Sequence, residues 1–268
     1  MPSSRKLYVD GEFGQIHLRM AGEKSSRPPL VCLHQSPKNS LEFEIFLHHA
    51  AKDRLVIAPD YPGYGMSDPP SSQEQATIHA YARNMWRVVD TFSLKRIDLF
   101  GNHTGGIVAI EMARQQPERI RGIAMVTAAL LTEDERTNYL EYFRPIPLDH
   151  EGTRHRVNWA RIIENADSEW PLDLQNRSFL QTCMAGEAYE WGHYAAFTYP
   201  HFEEGLRTLP HHKIILNPDD MLQGPTRRAR EVVRNGEIIE CPQWGFGLLD
   251  IHAPEIAALV TSRLDALP

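Results

Sequence analysis

His103 occupies the position in this chain where residue type and spacing are most favourable for chemistry. The largely apolar run 96–100 before it predicts a buried strand, and residues 106–113 after it, with small side chains on one face, predict a helix. Gly101 and Gly105 flank the turn, and glycine is needed where strand and helix backbones approach closely because it has no Cβ. This context is typical of a nucleophile elbow, in which the central side chain projects above the sheet beside the positive end of a helix.

Four further segments with polar or glycine-rich residues follow predicted strands. They are residues 34–37 (His-Gln-Ser-Pro), 60–67 (Asp-Tyr-Pro-Gly-Tyr-Gly-Met-Ser), 217–220 (Asn-Pro-Asp-Asp) and 244–247 (Trp-Gly-Phe-Gly). Open α/β sheets bind their ligands outside the carboxyl ends of the strands. We therefore expect these segments to gather around His103.

The elements that must position these residues alternate along the chain between short apolar runs and helical patterns, which predicts a mostly parallel sheet with helices on both faces. The predicted strands cover residues 7–10, 15–19, 29–33, 54–58, 96–100, 120–126, 213–216 and 237–240. The alternation stops at 132–210, which has no convincing strand and is rich in large aromatic residues. A helical insertion there predicts a cap over a crevice. The predicted domains are an α/β core, 1–131 and 211–268, and a helical cap, 132–210.

Composition excludes several classes of protein. The net charge is −7 and no basic run is present, so we expect no nucleic-acid partner. The three cysteines (Cys32, Cys183 and Cys241) lack a C-x-x-C spacing, which favours a reducing compartment. The first residues lack a signal-peptide pattern and no run is apolar enough to span a membrane, so we expect a soluble cytoplasmic protein. Nucleotide-binding and zinc motifs are also absent from the sequence, so we expect neither a cofactor nor a metal.

The assembled segments resemble the α/β-hydrolase fold superfamily over nearly the whole chain. The Asp-x-Pro-Gly-x-Gly-x-Ser block at 60–67, combined with an elbow in the right order, is the most specific part of the resemblance. The His-Gln-x-Pro loop at 34–37 and the Gly-x-His-Thr-Gly elbow at 101–105 are similar to a bacterial branch whose last loop reads Trp-Gly-His-Gly. The resemblance implies an eight-stranded, mostly parallel sheet with helices on both faces. It also implies a helical cap after the sixth strand and a catalytic triad in the order nucleophile, acid, histidine.

The triad implied by the resemblance is only partly kept. The nucleophile position is His103, and the acid position matches Asp220, with Asp219 as its neighbour. The position of the catalytic histidine is Phe246, whose side chain can neither hydrogen-bond nor titrate. A Ser-His-Asp relay is therefore absent from this sequence.

An imidazole at the elbow reaches farther than a serine hydroxyl, so His103 could pair with Asp220. Such a dyad can act as a general base toward water or toward an acidic C–H or O–H of a substrate. The resemblance implies an oxyanion hole of two backbone amides, which map to Gln35 and Thr104. The residues expected to line the substrate pocket are His34, Ser36, Trp191 and Phe246.

The predicted function is a cofactor-independent enzyme that acts on a small apolar or aromatic ester, lactone or ketone, breaking an ester or C–C bond. One alternative is a lyase, isomerase or cyclase that uses the same dyad only to move a proton. Another is an inactive small-molecule-binding relative, in which His103 is a packed core residue and Asp220 caps a helix. Ser36 is either a displaced nucleophile or a turn hydroxyl. The expected partner is a small-molecule substrate, neither a nucleic acid nor a membrane, and a homodimer is left open.

Overall fold

Residues 4–268, which the computed structural model describes, form one eight-stranded sheet. The strands are β1 (Arg5–Asp10), β2 (Gln15–Ala21), β3 (Leu30–Leu33), β4 (Val56–Pro59), β5 (Ile97–Asn102), β6 (Ile120–Val126), β7 (His212–Pro218) and β8 (Gly236–Cys241). Their spatial order is β1-β2-β4-β3-β5-β6-β7-β8. Strand β2 is antiparallel to both of its neighbours, and all other pairs are parallel. The predicted mostly parallel sheet is confirmed.

Helices cover both faces of the sheet and form the insertion predicted after the sixth strand. The α-helices are α1 (Glu44–Ala50), α2 (Ile78–Thr91), α3 (Thr104–Gln115), α4 (Glu133–Tyr142), α5 (Thr153–Asn165), α6 (Leu172–Met184), α7 (Trp191–Phe197), α8 (Phe202–Thr208), α9 (Gln223–Arg228), α10 (Leu248–Ile251) and α11 (Ala253–Asp265). Helices α4 to α8 all lie between β6 and β7 and are called the helical insertion below. The domain boundaries 1–131, 132–210 and 211–268 stay a prediction, and residues 1–3 of the first segment lie outside the described residues.

The alternation of side chains along the central strands explains why both faces are covered. In β3, Val31 and Leu33 join the apolar cluster beneath α2 and α3, whereas Leu30 and Cys32 join the cluster beneath α1 and α11. Successive side chains of a strand point to opposite faces. An entirely apolar strand such as β3 therefore needs a helix layer on each side, which only the centre of an α/β sheet provides.

The sheet and α3 meet at the segment that carries His103. Strand β5 ends at Asn102 and α3 begins at Thr104, so a single residue separates strand from helix. Both elements are longer than their apolar patterns, 96–100 and 106–113, because the polar and glycine residues of the turn also take regular backbone conformations. This junction sets the position of His103 at the carboxyl edge of the sheet.

Candidate active site

The backbone of His103 has the strained geometry of an elbow. Its φ of 47° and ψ of −109° lie in a region that residues with a Cβ rarely adopt and that costs roughly 1–3 kcal/mol. A Cβ on Gly105 would lie 1.9 Å from the carbonyl oxygen of Leu33, and one on Gly101 would lie 2.3 Å from the carbonyl carbon of Gly105. The glycines are thus required for the close approach of strand and helix. The His103 N–H donates to the Val126 carbonyl oxygen at 3.1 Å and fixes the turn to β6.

The structure brings the His103 ring against the Asp220 carboxylate. Nε2 of His103 lies 3.1 Å from Oδ2 of Asp220, and the two side chains are 16% and 5% exposed. The approach lacks the alignment of a good hydrogen bond, and Oδ2 has no aligned donor elsewhere among residues 4–268. The other oxygen, Oδ1, accepts from the Leu222 N–H at 2.7 Å. Asp220 therefore stabilises the turn after β7 with one oxygen and faces His103 with the other.

Among residues 4–268, His103 lines all three adjoining parts of one cavity. The first part, of about 190 Å³, is bounded largely by rings and apolar side chains of the helical insertion and nearby loops. They include Leu130, Tyr139, Phe143, Phe197, Tyr199 and Met221. The second part, also of about 190 Å³, is lined by several ionisable side chains, which include Lys38, Arg161, Glu190, His193, Asp219 and Asp220. The third part holds about 30 Å³.

Gln35, the residue of the loop after β3 that was predicted to supply an oxyanion-hole amide, lines the cavity, but its amide is already hydrogen-bonded. The Gln35 N–H donates to Oε1 of Glu42 at 2.9 Å, and the Gln35 side-chain amide donates to Oε2 at 3.2 Å. Gln35 is therefore not available as an oxyanion donor, because the buried carboxyl group of Glu42 already accepts from its amide. The next amide, that of Ser36, donates a long hydrogen bond of 3.4 Å to Oγ1 of Thr104, and both residues line the cavity. As the first residue of α3, Thr104 has an N–H without a partner within the helix.

Two of the predicted pocket residues lie away from the cavity walls described here. The His34 side chain is fully buried, its Nδ1 donates to the Gln35 carbonyl oxygen at 2.8 Å, and its Nε2 accepts from the Tyr61 N–H at 2.9 Å. Burial lowers the pKa of His34 to about 4, so the ring is neutral and structural. Trp191 packs against the apolar cluster beneath α2 and α3. Ser36 lines both larger parts of the cavity.

Phe246 also lines the cavity, beside His103 and Asp220. Its ring meets the Trp170 indole edge-on at a centroid distance of 5.8 Å. Its carbonyl oxygen accepts from the Asp167 N–H at 3.2 Å. The site thus contains an apolar ring at the position where the resemblance implies a histidine.

Sequence reasoning missed two buried charged residues beneath the elbow. Burial raises the pKa of Glu42 to about 8, although its hydrogen bonds from Gln35 act in the opposite direction. Burial likewise lowers the pKa of Lys38 to about 8, and its Nζ donates to the Ser178 carbonyl oxygen at 2.8 Å. An ionisable residue in a polar loop or in a helical pattern normally indicates a solvent-exposed position, so the sequence carried no signal of their burial.

The described part of the chain shows no cluster of three or more histidine, cysteine or acidic side chains arranged to hold a metal ion. Over the same residues, no helix combines the length and the apolar character needed to cross a bilayer.

The chain belongs to the alpha/beta hydrolase fold family, whose model matches residues 28–186. A proline iminopeptidase from Lactobacillus helveticus is 30% identical over 160 residues, covering 57% of this chain and 53% of that protein. A haloalkane dehalogenase from Psychrobacter cryohalolentis is 30% identical over 144 residues, covering 52% of this chain and 47% of that protein. The chain thus spans about half the length of the curated relatives it matches.

Solved structures match almost the whole chain. An esterase from Exiguobacterium antarcticum has a TM-score of 0.82 at 16% identity, covering 98% of this chain and 100% of that chain. Epoxide Hydrolase A from Mycobacterium thermoresistibile has a TM-score of 0.80 at 18% identity, covering 100% of this chain and 99% of that chain. At such identities the likeness shows the fold alone. Because the named proteins differ in chemistry, the function must be argued from the site.

Proposed function

We propose that this protein is a hydrolase that activates water with the His103–Asp220 dyad instead of attacking its substrate with a serine. The observation that carries the proposal is the 3.1 Å approach of His103 Nε2 to Asp220 Oδ2 at the meeting point of the cavity parts. A histidine in a strained elbow backbone, 16% exposed and beside an acceptor-only carboxylate, has the arrangement of a general base.

The carboxylate determines which ring nitrogen is basic. An ionised carboxylate only accepts hydrogen bonds, so the proton of a neutral His103 ring is favoured on Nε2 and the lone pair on Nδ1. Nδ1 has no hydrogen-bond partner among residues 4–268, which leaves it free to accept a proton from water. Hydrogen bonds of a catalytic site are often poorly aligned without substrate and tighten when it binds. General-base assistance of this kind contributes roughly 10²–10⁴-fold to a rate.

Two backbone amides are the candidates to stabilise the negative charge that forms on the substrate. As Nδ1 of His103 takes one proton from water, the water oxygen bonds to the carbonyl carbon and the carbonyl oxygen becomes an oxyanion. The Thr104 N–H would donate to that oxygen, and the Ser36 N–H would exchange its long hydrogen bond to Oγ1 of Thr104 for the same acceptor. Each donor would contribute roughly 3 kcal/mol. The bond to the leaving oxygen then breaks as the carbonyl reforms.

The walls of the cavity support a small apolar or aromatic substrate. The first part is lined by Tyr139, Phe143 and Phe197, and its volume of about 190 Å³ suits a compact acyl or aryl group. Aromatic walls bind such groups through apolar contact and ring packing. We therefore propose an ester or lactone with an aryl or short alkyl substituent, and every proposed step uses water together with side chains and amides of this chain.

Replacing the base tests the proposal. We expect His103→Asn to reduce kcat/KM for 4-nitrophenyl acetate at least roughly 100-fold, because asparagine tolerates a positive φ but cannot take up a proton. His150→Asn, the same change at an exposed histidine of the helical insertion, is the matched control and should leave the rate unchanged. Equal thermal melting of all three proteins would exclude misfolding.

The serine alternative has its own experiment. Ser36→Ala removes the hydroxyl and keeps the backbone amide, so full activity in His103→Asn together with loss in Ser36→Ala would assign the attack to Ser36. Mass spectrometry after treatment with an aryl organophosphonate provides the second measurement. We expect no labelled serine, and a stoichiometric adduct on Ser36 would contradict water activation.

A further inference from the structure

A second histidine–carboxylate pair lies on the helical insertion and lines the same cavity as the first. Glu190 immediately precedes α7, and His193 lies in the first turn of that helix. Nδ1 of His193 makes a short hydrogen bond with Oε2 of Glu190. The other oxygen, Oε1, accepts from Nη1 of Arg161 at 3.0 Å. Glu190 is only 2% exposed, so Arg161 balances a carboxylate that is shielded from water.

These contacts fix the tautomer and the orientation of the His193 ring. Because the Glu190 carboxylate can only accept, Nδ1 carries a proton, and Nε2 is left without a hydrogen-bond partner in the part of the chain that the structure describes. The ring also stacks on Phe143 at a centroid distance of 4.0 Å and an interplanar angle of 28°. A ring held by its edge and by its face loses little rotational freedom when it acts.

His193 and His103 line the same two larger parts of the cavity. The charged groups that line the second part with them are Lys38, Arg161, Glu190, Asp219 and Asp220. A reaction in this space can therefore exchange protons with two separate imidazoles, each beside a carboxylate. One is attached to the sheet at the elbow and the other to the helical insertion.

Hydrolysis needs a proton donor as well as a base. In a serine triad one histidine performs both tasks, but the corresponding position here is Phe246, and His103 is already assigned to the water. The geometry points to His193 as a second catalytic residue, the general acid that protonates the leaving oxygen of an ester, with Glu190 as its positioning residue. This inference rests on the proposed hydrolytic function of the His103–Asp220 dyad.

The proton balance of the reaction closes with these two residues. His193 begins as an imidazolium, with Nδ1–H on Glu190 and Nε2–H toward the substrate. As the bond between the carbonyl carbon and the leaving oxygen breaks, the Nε2 proton passes to that oxygen and an alcohol departs. His103 then releases to solvent the proton taken from water, and solvent returns a proton to His193. One ester and one water have become one carboxylic acid and one alcohol.

A purely structural role for the pair makes a different prediction. If His193 and Glu190 only anchor α7 to α5 through Arg161, their replacement lowers the rate for every substrate alike. A general acid instead matters only when the leaving group is a poor one. The nitrophenolate ion departs without a proton, whereas the benzyloxide ion cannot.

The test compares two esters that share an acyl group, 4-nitrophenyl acetate and benzyl acetate. For His193→Gln we expect kcat for benzyl acetate to fall roughly 10²-fold and kcat for the nitrophenyl ester to stay within about threefold. The matched control is His201→Gln, because His201 also pairs with a glutamate three residues along, Glu204, at 3.3 Å but is half exposed. We expect this control to hydrolyse both esters at the wild-type rate. Glu190→Gln should show the selectivity of His193→Gln in weaker form.

The outcomes separate this inference from the dyad on which it rests. Equal losses for both esters in His193→Gln, or no loss for benzyl acetate, would overturn the general-acid role while leaving the dyad intact. Failure of His103→Asn to slow either ester would refute the dyad itself. If the wild-type protein hydrolyses neither ester, the dyad proposal fails, and ¹⁵N NMR with trifluoroacetophenone, whose hydrate resembles the tetrahedral intermediate, examines His193 directly. We expect the Nε2 signal of His193 to shift and that of His201 to stay, and an unmoved His193 signal would exclude contact with the reacting group.

Discussion

Asp220→Asn isolates the electrostatic part of the proposed dyad. Asparagine has nearly the same shape, and its side-chain oxygen can still accept from the Leu222 N–H, as Oδ1 of Asp220 does at 2.7 Å. The turn after β7 is therefore kept. What is removed is a negative charge 3.1 Å from Nε2 of His103.

The size of the effect follows from that distance. Two unit charges 3.1 Å apart attract by roughly 5 kcal/mol at an effective dielectric constant of about 20. Solvent reaches a ring that is 16% exposed, and we take about half of the attraction, roughly 2.7 kcal/mol, as the loss of transition-state stabilisation. At about 1.4 kcal/mol per factor of ten, kcat should fall roughly 10²-fold.

The assay is the steady-state hydrolysis of 4-nitrophenyl acetate by three proteins: the wild type, Asp220→Asn and Asp219→Asn. Asp219 provides a matched control because it is the preceding residue of the same loop, lines the same cavity and is exposed. Its loss should change kcat less than about threefold, since the charge of an exposed residue is screened. Equal rates in the two variants would refute the reasoning, because the effect would then not depend on which carboxylate faces His103.

Three further predictions concern the elbow, a buried acid and the altered triad position. Gly105→Ala should destabilise the fold by about 3 kcal/mol or more, because its Cβ would lie 1.9 Å from a backbone oxygen of β3. The milder control is Gly106→Ala, whose Cβ would have its nearest contact at 3.2 Å. Equal decreases in the free energy of unfolding of the two variants, measured in urea, would contradict the steric argument. Glu42→Gln should flatten the pH dependence of stability. The folded-state pKa of Glu42 is raised from 4.5 to about 8. The wild type therefore loses stability as the pH rises between these values, at up to about 1.4 kcal/mol per pH unit. If the free energy of unfolding changes equally in the wild type and in Glu42→Gln between pH 5 and pH 8, the prediction is wrong. Phe246→His should not raise esterase activity, because a second imidazole would compete with His103 for Oδ2 of Asp220; a tenfold gain would instead indicate a site built for a triad.

Local sequence patterns by themselves determine the architecture of this protein. The entirely apolar run of β3 predicts a central strand, because such a run needs cover on both faces. The pair of glycines around His103 predicts the sharp corner, because only residues without a Cβ permit that approach. The order of strands and turns placed Asp220 at the same edge of the sheet as the elbow. Each of these inferences depends on a few neighbouring residues and on general rules of packing.

The details of the site depended on which groups meet across long sequence separations. Glu42 accepts a hydrogen bond from the amide of Gln35, so the proposed oxyanion hole uses the amide of Ser36 instead. His34 follows a strand end as predicted but is buried between hydrogen bonds to Gln35 and Tyr61. A charged residue in a helical pattern can be buried or exposed, and so can a histidine at a strand end, with no difference in the local sequence. Burial decides between them, and burial is set by the complete packing of the chain.

The helical insertion shows most clearly which features follow from local sequence and which depend on tertiary packing. Its composition, rich in rings and placed between β6 and β7, was enough to predict helices above the sheet. The meeting of Arg161, Glu190 and His193 was not predictable, because it depends on how α5 and α7 pack, and amphipathic patterns fix which face of a helix is buried but not which helix it meets. The sequence thus determined that an imidazole lies at the elbow, whereas only the tertiary structure decided that a second one lines the same cavity. Side-chain partners far apart in the sequence are selected by three-dimensional packing.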